Sequence, residues 1–108
     1  EKWSLDIEAD MQSQNQAYLI NFTAAWCITC QTNEKTALAR EKVKEYLAEE
    51  NIAYVKADWT NRNEDIAIGL AKYKRTGIPL YIFWKPGMPS SKILPAVLTE
   101  DSLIKSMQ

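Results

Sequence analysis

The chain has no histidine, and that absence removes a large part of the catalytic repertoire. A Ser-His-Asp triad and a Cys-His pair both need an imidazole to take and return a proton, so neither can operate here. Cysteine is nearly as scarce. Cys27 and Cys30 supply only half of the four Cys or His ligands that a tetrahedral structural zinc wants, unless two copies share the metal. Net charge is also missing: 13 basic against 14 acidic residues leave -1, which gives no broad basic surface for nucleic acid or anionic lipid. No apolar run approaches the roughly 18 residues of a membrane span. The opening Glu1-Lys2-Trp3-Ser4 lacks the apolar core of a signal peptide, so the chain reads as mature or as excised from something longer. Glycine and proline are few and scattered, which leaves no linker or low-complexity tract. What remains for chemistry is thiol work, or none.

The 108 residues present are enough for a single domain, residues 1–108, with one hydrophobic core and no need of staples. Both cysteines fall in Trp26-Cys27-Ile28-Thr29-Cys30, directly after the apolar run 18–22 and before a helix-compatible stretch. Along 3–11 the apolar residues alternate, as in a strand, yet the composition suits a short helix and Ser4 could cap it; a helix is expected. Residues 18–22 read as a central strand covered on both faces. Helix-compatible residues run from 28 to 50, with a possible break at 36–39 and with Val43, Tyr46 and Leu47 on one face; Asn51 suits the stop. A second strand is expected at 52–57, then a polar turn at 58–63. The next helix starts near Asn61 or Asn63, buries Ile66, Ala67, Leu70 and Ala71, and ends just before Gly77. The strongest strand signal is 80–84. Pro86-Gly87 turns it, 92–94 returns antiparallel, and Thr99 caps a last helix with Leu103, Ile104 and Met107 inward. Strands separated by helices are expected to run parallel, which predicts an α/β fold with a mixed four-stranded central sheet and helices on both faces.

A Cys-x-x-Cys that follows a strand and opens a helix, with Ile78-Pro79 entering a later strand, resembles the thioredoxin fold over most of the chain. Three blocks narrow the likeness: Asn21-Phe22-Thr23-Ala24-Ala25-Trp26-Cys27-Ile28-Thr29-Cys30 with Asn33-Glu34, then Lys56-Ala57-Asp58-Trp59-Thr60-Asn61-Arg62, then Gly77-Ile78-Pro79-Leu80-Tyr81. In this order they are similar to the C-terminal domain of the DsbD family, which includes the ScsB proteins, bacterial inner-membrane thiol:disulfide interchange proteins. The resemblance implies a domain, monomeric when isolated, at the periplasmic face of the inner membrane. It would take electrons from a membrane-embedded domain of the same parent protein and pass them to periplasmic thiol proteins, as a protein-disulfide reductase with no cofactor and no metal.

Within that reading Cys27 is the nucleophile, exposed at a helix amino end whose unpaired amides favour the thiolate, and Cys30 resolves the mixed disulfide. Ile28 and Thr29 bring no histidine or cation between the sulfurs, which fits a reductant better than an oxidant. Trp26 is expected beside the sulfurs as part of the docking surface, with core packing as its alternative. Pro79 matches a position where thioredoxin-like proteins carry a cis-proline, which would offer the backbone of Ile78 to an extended partner segment. An ordinary trans-proline opening a strand is the alternative. Asn21 stands where many relatives have a buried aspartate thought to move protons at the second cysteine, and an amide can only hydrogen-bond. Glu34, seven residues after Cys27 and four after Cys30, shares their helical face and is the candidate replacement; a solvated charge is its plain alternative. Lys56 is expected to face solvent and Trp59 to fill a gap under its turn. Two rival functions stay open: a thioredoxin-like protein-binding module with redox-idle cysteines, and metal carriage by the two thiolates.

Overall fold

The computed structural model describes residues 2–108. In chain order it contains α1 (Ile7–Ser13), β1 (Tyr18–Thr23), α2 (Ile28–Asn33), a π-helical turn (Glu34–Leu38), α3 (Glu41–Glu49), β2 (Ala53–Asp58), α4 (Glu64–Ala71), β3 (Leu80–Trp84), β4 (Lys92–Ile93) and α5 (Glu100–Met107). The strands form one mixed sheet in the order β2-β1-β3-β4.

β1 is central and buried along its whole length, and its alternate side chains feed two cores. Tyr18, Ile20 and Phe22 point to one face, where they meet Ile7 and Met11 of α1 and Ile66 and Leu70 of α4. Leu19 points to the other, with Leu38, Val43 and Leu47 from the helices that follow the cysteines and Leu103 and Met107 from α5. β3 splits in the same way, with Leu80, Ile82 and Trp84 on the first face and Tyr81 and Phe83 on the second. A strand covered on both sides need not alternate, which is why 80–84 is apolar throughout and 18–22 is apolar but for the buried Asn21.

One expectation about the sheet fails. β1 and β2 are parallel, but β3 runs antiparallel to β1, with Leu80 opposite Phe22 and Trp84 opposite Tyr18. The connection explains the reversal. The eight residues of α4 cover about 12 Å. The irregular segment 72–79 can extend over roughly 26 Å, enough to bring the chain back to the end of β1 it had left. β3 therefore starts beside the cysteines and not at the far end of the sheet, and it delivers Ile78-Pro79 there.

The local signals hold at most boundaries. Asn63 caps α4 by accepting from the amides of Asp65 and Ile66. Thr99 and Ser102 form a reciprocal capping box on α5. Asn51 adopts the left-handed conformation, φ 53°, that ends α3. Ser4, by contrast, is not the cap of α1. Asp6 holds that position without a side-chain bond, and Ser4 contributes only its carbonyl, which accepts from the Ile7 amide at 3.2 Å. α4 ends at Ala71, exposed rather than buried, and Gly77 lies six residues further on. The long helix breaks at Arg40, whose backbone is extended, after a π-helical turn that composition did not announce.

Gly69 answers a packing need. A Cβ there would stand 2.7 Å from the Trp3 ring, which itself lies edge-on to Phe22. The helix can pass this close to the indole only without a side chain.

Candidate active site at the disulfide

The chain leaves β1 at Thr23, turns over residues 24–26 and enters α2 with Cys27 as its N-cap. Extended backbone at Cys27 (φ -91°, ψ 105°) points the sulfur back over the first turn, where its Sγ accepts from the Cys30 amide at 3.2 Å. An amide aimed at that sulfur favours its anionic form whenever the disulfide opens. Cys27 and Cys30 are joined as a disulfide, their Cα atoms 5.2 Å apart. Ala24 and Ile78 pack against the pair. Cys27 is consequently less open than expected: 7% exposed, against 2% for Cys30. Of the two cysteines Cys27 is the less buried, and the exposed surface at the motif belongs to Trp26, Ile28 and Thr29.

Trp26 does not enter the core. It is 45% exposed, its Nε1 donates to the Thr60 carbonyl at 3.0 Å, and its ring lies against Trp59. Thr60 is in turn fixed by Asp58, whose carboxylate accepts from its amide and hydroxyl, and its own Oγ1 accepts from the Ala25 amide. Those two bonds to Thr60, and then the nearby Lys56 charge, hold the Asp58 carboxyl below the usual carboxylate range against a smaller opposing effect of burial. Trp59 is buried under its turn, with Nε1 donating to the Asn63 carbonyl. Lys56 is exposed. The Ile78–Pro79 peptide is cis, and both residues are half-buried.

Asn21 is 1% exposed on the α2 side of the sheet. Its Nδ2 donates to the Tyr54 hydroxyl at 2.8 Å, while Oδ1 has no partner among the described residues. Burial is the main reason the Tyr54 phenol is pushed up to about 12; the Asn21 bond works against the rise and the Glu34 charge adds to it. Tyr81 is raised by burial too, with the Asn33 bond opposing and the Glu34 charge again adding. Glu34 is half-buried at the start of the π-helical turn and shares a cavity of about 320 Å³ with Leu38, Lys44, Leu47 and Tyr54. The structure thus puts Glu34 near Tyr54 and Tyr81, and Tyr54 in contact with Asn21. Tyr54, which accepts from Asn21, lines the same cavity as Glu34, and no hydrogen bond joins Glu34 to Asn21, Tyr54 or Tyr81 among the described residues.

Sequence reasoning missed that tyrosine and also missed Asn33. Asn33 is buried; Nδ2 donates to the Tyr81 hydroxyl and the Ala96 carbonyl, each at 2.8 Å, and Oδ1 accepts from the Leu98 amide at 3.0 Å. It ties α2 to the loop of residues 94–98. Its only signal in the sequence was its place inside a matching block. No group of three or more Cys, Asp or Glu converges as a metal cage among the described residues.

Comparison with known proteins agrees with this architecture. A family model described as thioredoxin-like matches residues 4–86, and the chain belongs to that family. More narrowly, it is 32% identical over 73 residues to the thiol:disulfide interchange protein DsbD of Yersinia pestis (strain Pestoides F). The match takes in 68% of this chain and 12% of that protein, so the chain spans about an eighth of the curated relatives it matches. Among solved structures, the reduced C-terminal domain of Neisseria meningitidis DsbD superposes with a TM-score of 0.72 at 19% identity, covering 93% of this chain and 86% of that one. The oxidised form gives 0.71 at 20%, covering 93% and 89%. A thioredoxin from Thermus thermophilus gives 0.69 at 16%, covering 98% and 82%.

Proposed function

We propose that this chain is a thiol:disulfide exchange domain that works as a reductase. It would take electrons from a membrane-embedded domain of a larger parent protein and hand them to periplasmic thiol proteins at the outer face of the bacterial inner membrane. The observation that carries the reading is the Cys27–Cys30 disulfide at a helix start, with the Cys30 amide on the Cys27 sulfur and an exposed rim of Trp26 and Ile28 beside it. No helix among the described residues is long and apolar enough to cross a membrane.

In the reducing direction the Cys27 thiolate attacks one sulfur of a partner disulfide. A Cys27–partner bond forms as the partner's other sulfur leaves and takes up a proton. Cys30 then loses its proton and attacks Cys27, the internal disulfide closes, and the partner's second thiol departs; two electrons have passed to the partner. Asn21 cannot accept the Cys30 proton at neutral pH, and Glu34, set near the Tyr54 and Tyr81 hydroxyls, is assigned that task. Ile78 beside the cis-Pro79 bond would align an extended partner segment, and Trp26 would cover it.

Redox equilibration with glutathione or dithiothreitol buffers tests the direction. A potential near that of reducing thioredoxins, about -270 mV, supports the reading, whereas one near the strong oxidant DsbA, about -120 mV, defeats it. Cysteines that never open under these buffers would leave the binding-module alternative in its place.

A further inference from the structure

The turn between β2 and α4 holds a cation that the exchange chemistry does not use. The Arg62 guanidinium carbon lies 4.5 Å from the centroid of Trp26 and 5.1 Å from that of Trp59, and the two indoles face it from rings 6.0 Å apart. Stacking engages the flat face of a guanidinium and leaves its edge donors free. Those donors have no carboxylate partner among the described residues. The ion pairs among the described residues are Arg40–Glu100 and Lys42–Asp101, which join the start of α3 to α5. Asp58, the acid of the same turn, is committed to Thr60. Arg62 also holds a left-handed backbone, φ 52°, which residues with a side chain seldom adopt, so the turn is shaped to present it. The result is an exposed cation fixed on the indole of the residue that precedes the attacking cysteine, at the edge of an apolar rim.

We propose that Arg62 sets partner specificity by receiving an aspartate or glutamate that flanks the disulfide attacked by Cys27. This rests on the exchange reading above. A carboxylate meets the free edge of a stacked guanidinium through two parallel hydrogen bonds, a fit that neither an amide nor an ammonium reproduces. Partners with acidic residues beside their reactive cysteine would be captured faster, and those with basic residues there would be repelled.

Three peptides of one design provide the test, each with a single cysteine capped by neutral 2-thiopyridine and flanked by two aspartates, two glutamines or two lysines. Attack by the reduced protein on the peptide sulfur releases 2-thiopyridone and leaves the peptide on Cys27; Cys30 then frees the peptide thiol. The rate of thiopyridone release should favour the aspartate over the glutamine peptide by about 1.5-fold to fivefold at low salt, the range of one exposed ion pair, and raising the salt should erase most of that ratio. The aspartate-to-glutamine ratio should fall to about one in Arg62→Gln and invert in Arg62→Glu. A ratio that is the same in Arg62→Gln and the unaltered protein would overturn the proposal, as would a preference that salt does not change. A protein that releases thiopyridone from none of the three peptides removes the exchange reading itself, and this inference with it.

Discussion

Replacing Asn33 by alanine should cost this domain about 2–4 kcal/mol, and the estimate follows from where each of its bonds goes. The Leu98 amide donates to Asn33 Oδ1 at a buried position, and leaving it without an acceptor costs about 1–3 kcal/mol. The buried bond to the Tyr81 hydroxyl adds roughly 1 kcal/mol. The Ala96 carbonyl lies on an exposed residue and can turn to water, so it adds little. For 108 residues the unfolding entropy is about 0.23 kcal/mol per degree, so the melting temperature should fall by roughly 9–17 °C. Urea unfolding of the oxidised protein, followed by tryptophan fluorescence, measures the loss, and its slope should be unchanged. Thr36→Val is the comparison. Thr36 donates to the Leu98 carbonyl in the same loop but lies at the surface, so its loss should stay below about 1 kcal/mol. A loss for Asn33→Ala as small as that would mean the loop is held by Leu94 and Leu98 alone, and the reasoning would be wrong.

Gly69→Ala should destabilise by about 1 kcal/mol: the new methyl meets the Trp3 ring, overpacking costs about 1–3 kcal/mol, and helix propensity returns about 1. With Trp3→Ala already present the sign should reverse, and a Gly69→Ala effect that is equal in both backgrounds, by urea unfolding, counts against the contact. At high pH the buried phenols should unfold the domain. Tyr54 is moved from 10.0 to about 12, so the unfolded chain gives up this proton first; the stability it brings is whole below pH 10, about 3 kcal/mol, and is lost as pH rises to 12. Tyr54→Phe should flatten that part of the alkaline unfolding curve, and an unchanged curve would contradict the assignment. Arg40→Ala should cost less than about 1 kcal/mol, because its pair with Glu100 is solvent-screened, and a larger loss of unfolding free energy would point to a role beyond the pair.

The order of elements was legible because the signals were local. The largely apolar 18–22 and the wholly apolar 80–84, the carboxylates behind Asn63 and the Thr99 cap each act within a few residues, and the closely spaced Cys27 and Cys30 announced their chemistry in the same way. The direction of β3 was not legible, since it depends on how far the irregular 72–79 reaches and not on any residue in the strand. The π-helical turn was hidden for a similar reason. Its distinguishing bond, from the Ala39 amide to the Glu34 carbonyl at 2.7 Å, involves two residues ordinary in any helix. Tyr54 reads in sequence as one more apolar strand residue, and only the pairing of β1 with β2 brings its hydroxyl to Asn21. Arg62 read as part of a polar turn because its partners, Trp26 and Trp59, come from separate stretches. Apart from the π-helical turn and the cap of α1, which are local, the features missed were contacts between distant segments, whereas those found were set by near neighbours.

The central claim is that Cys27 attacks and Cys30 releases. Reduced Cys30→Ala protein, mixed with the glutamine-flanked thiopyridyl peptide and weighed by mass spectrometry, examines this directly. The mass should rise by one peptide and stay there, while the unaltered protein under the same conditions should return to its disulfide form and free the peptide thiol. A Cys30→Ala protein that remains unmodified, or an unaltered protein that keeps the peptide, would contradict it.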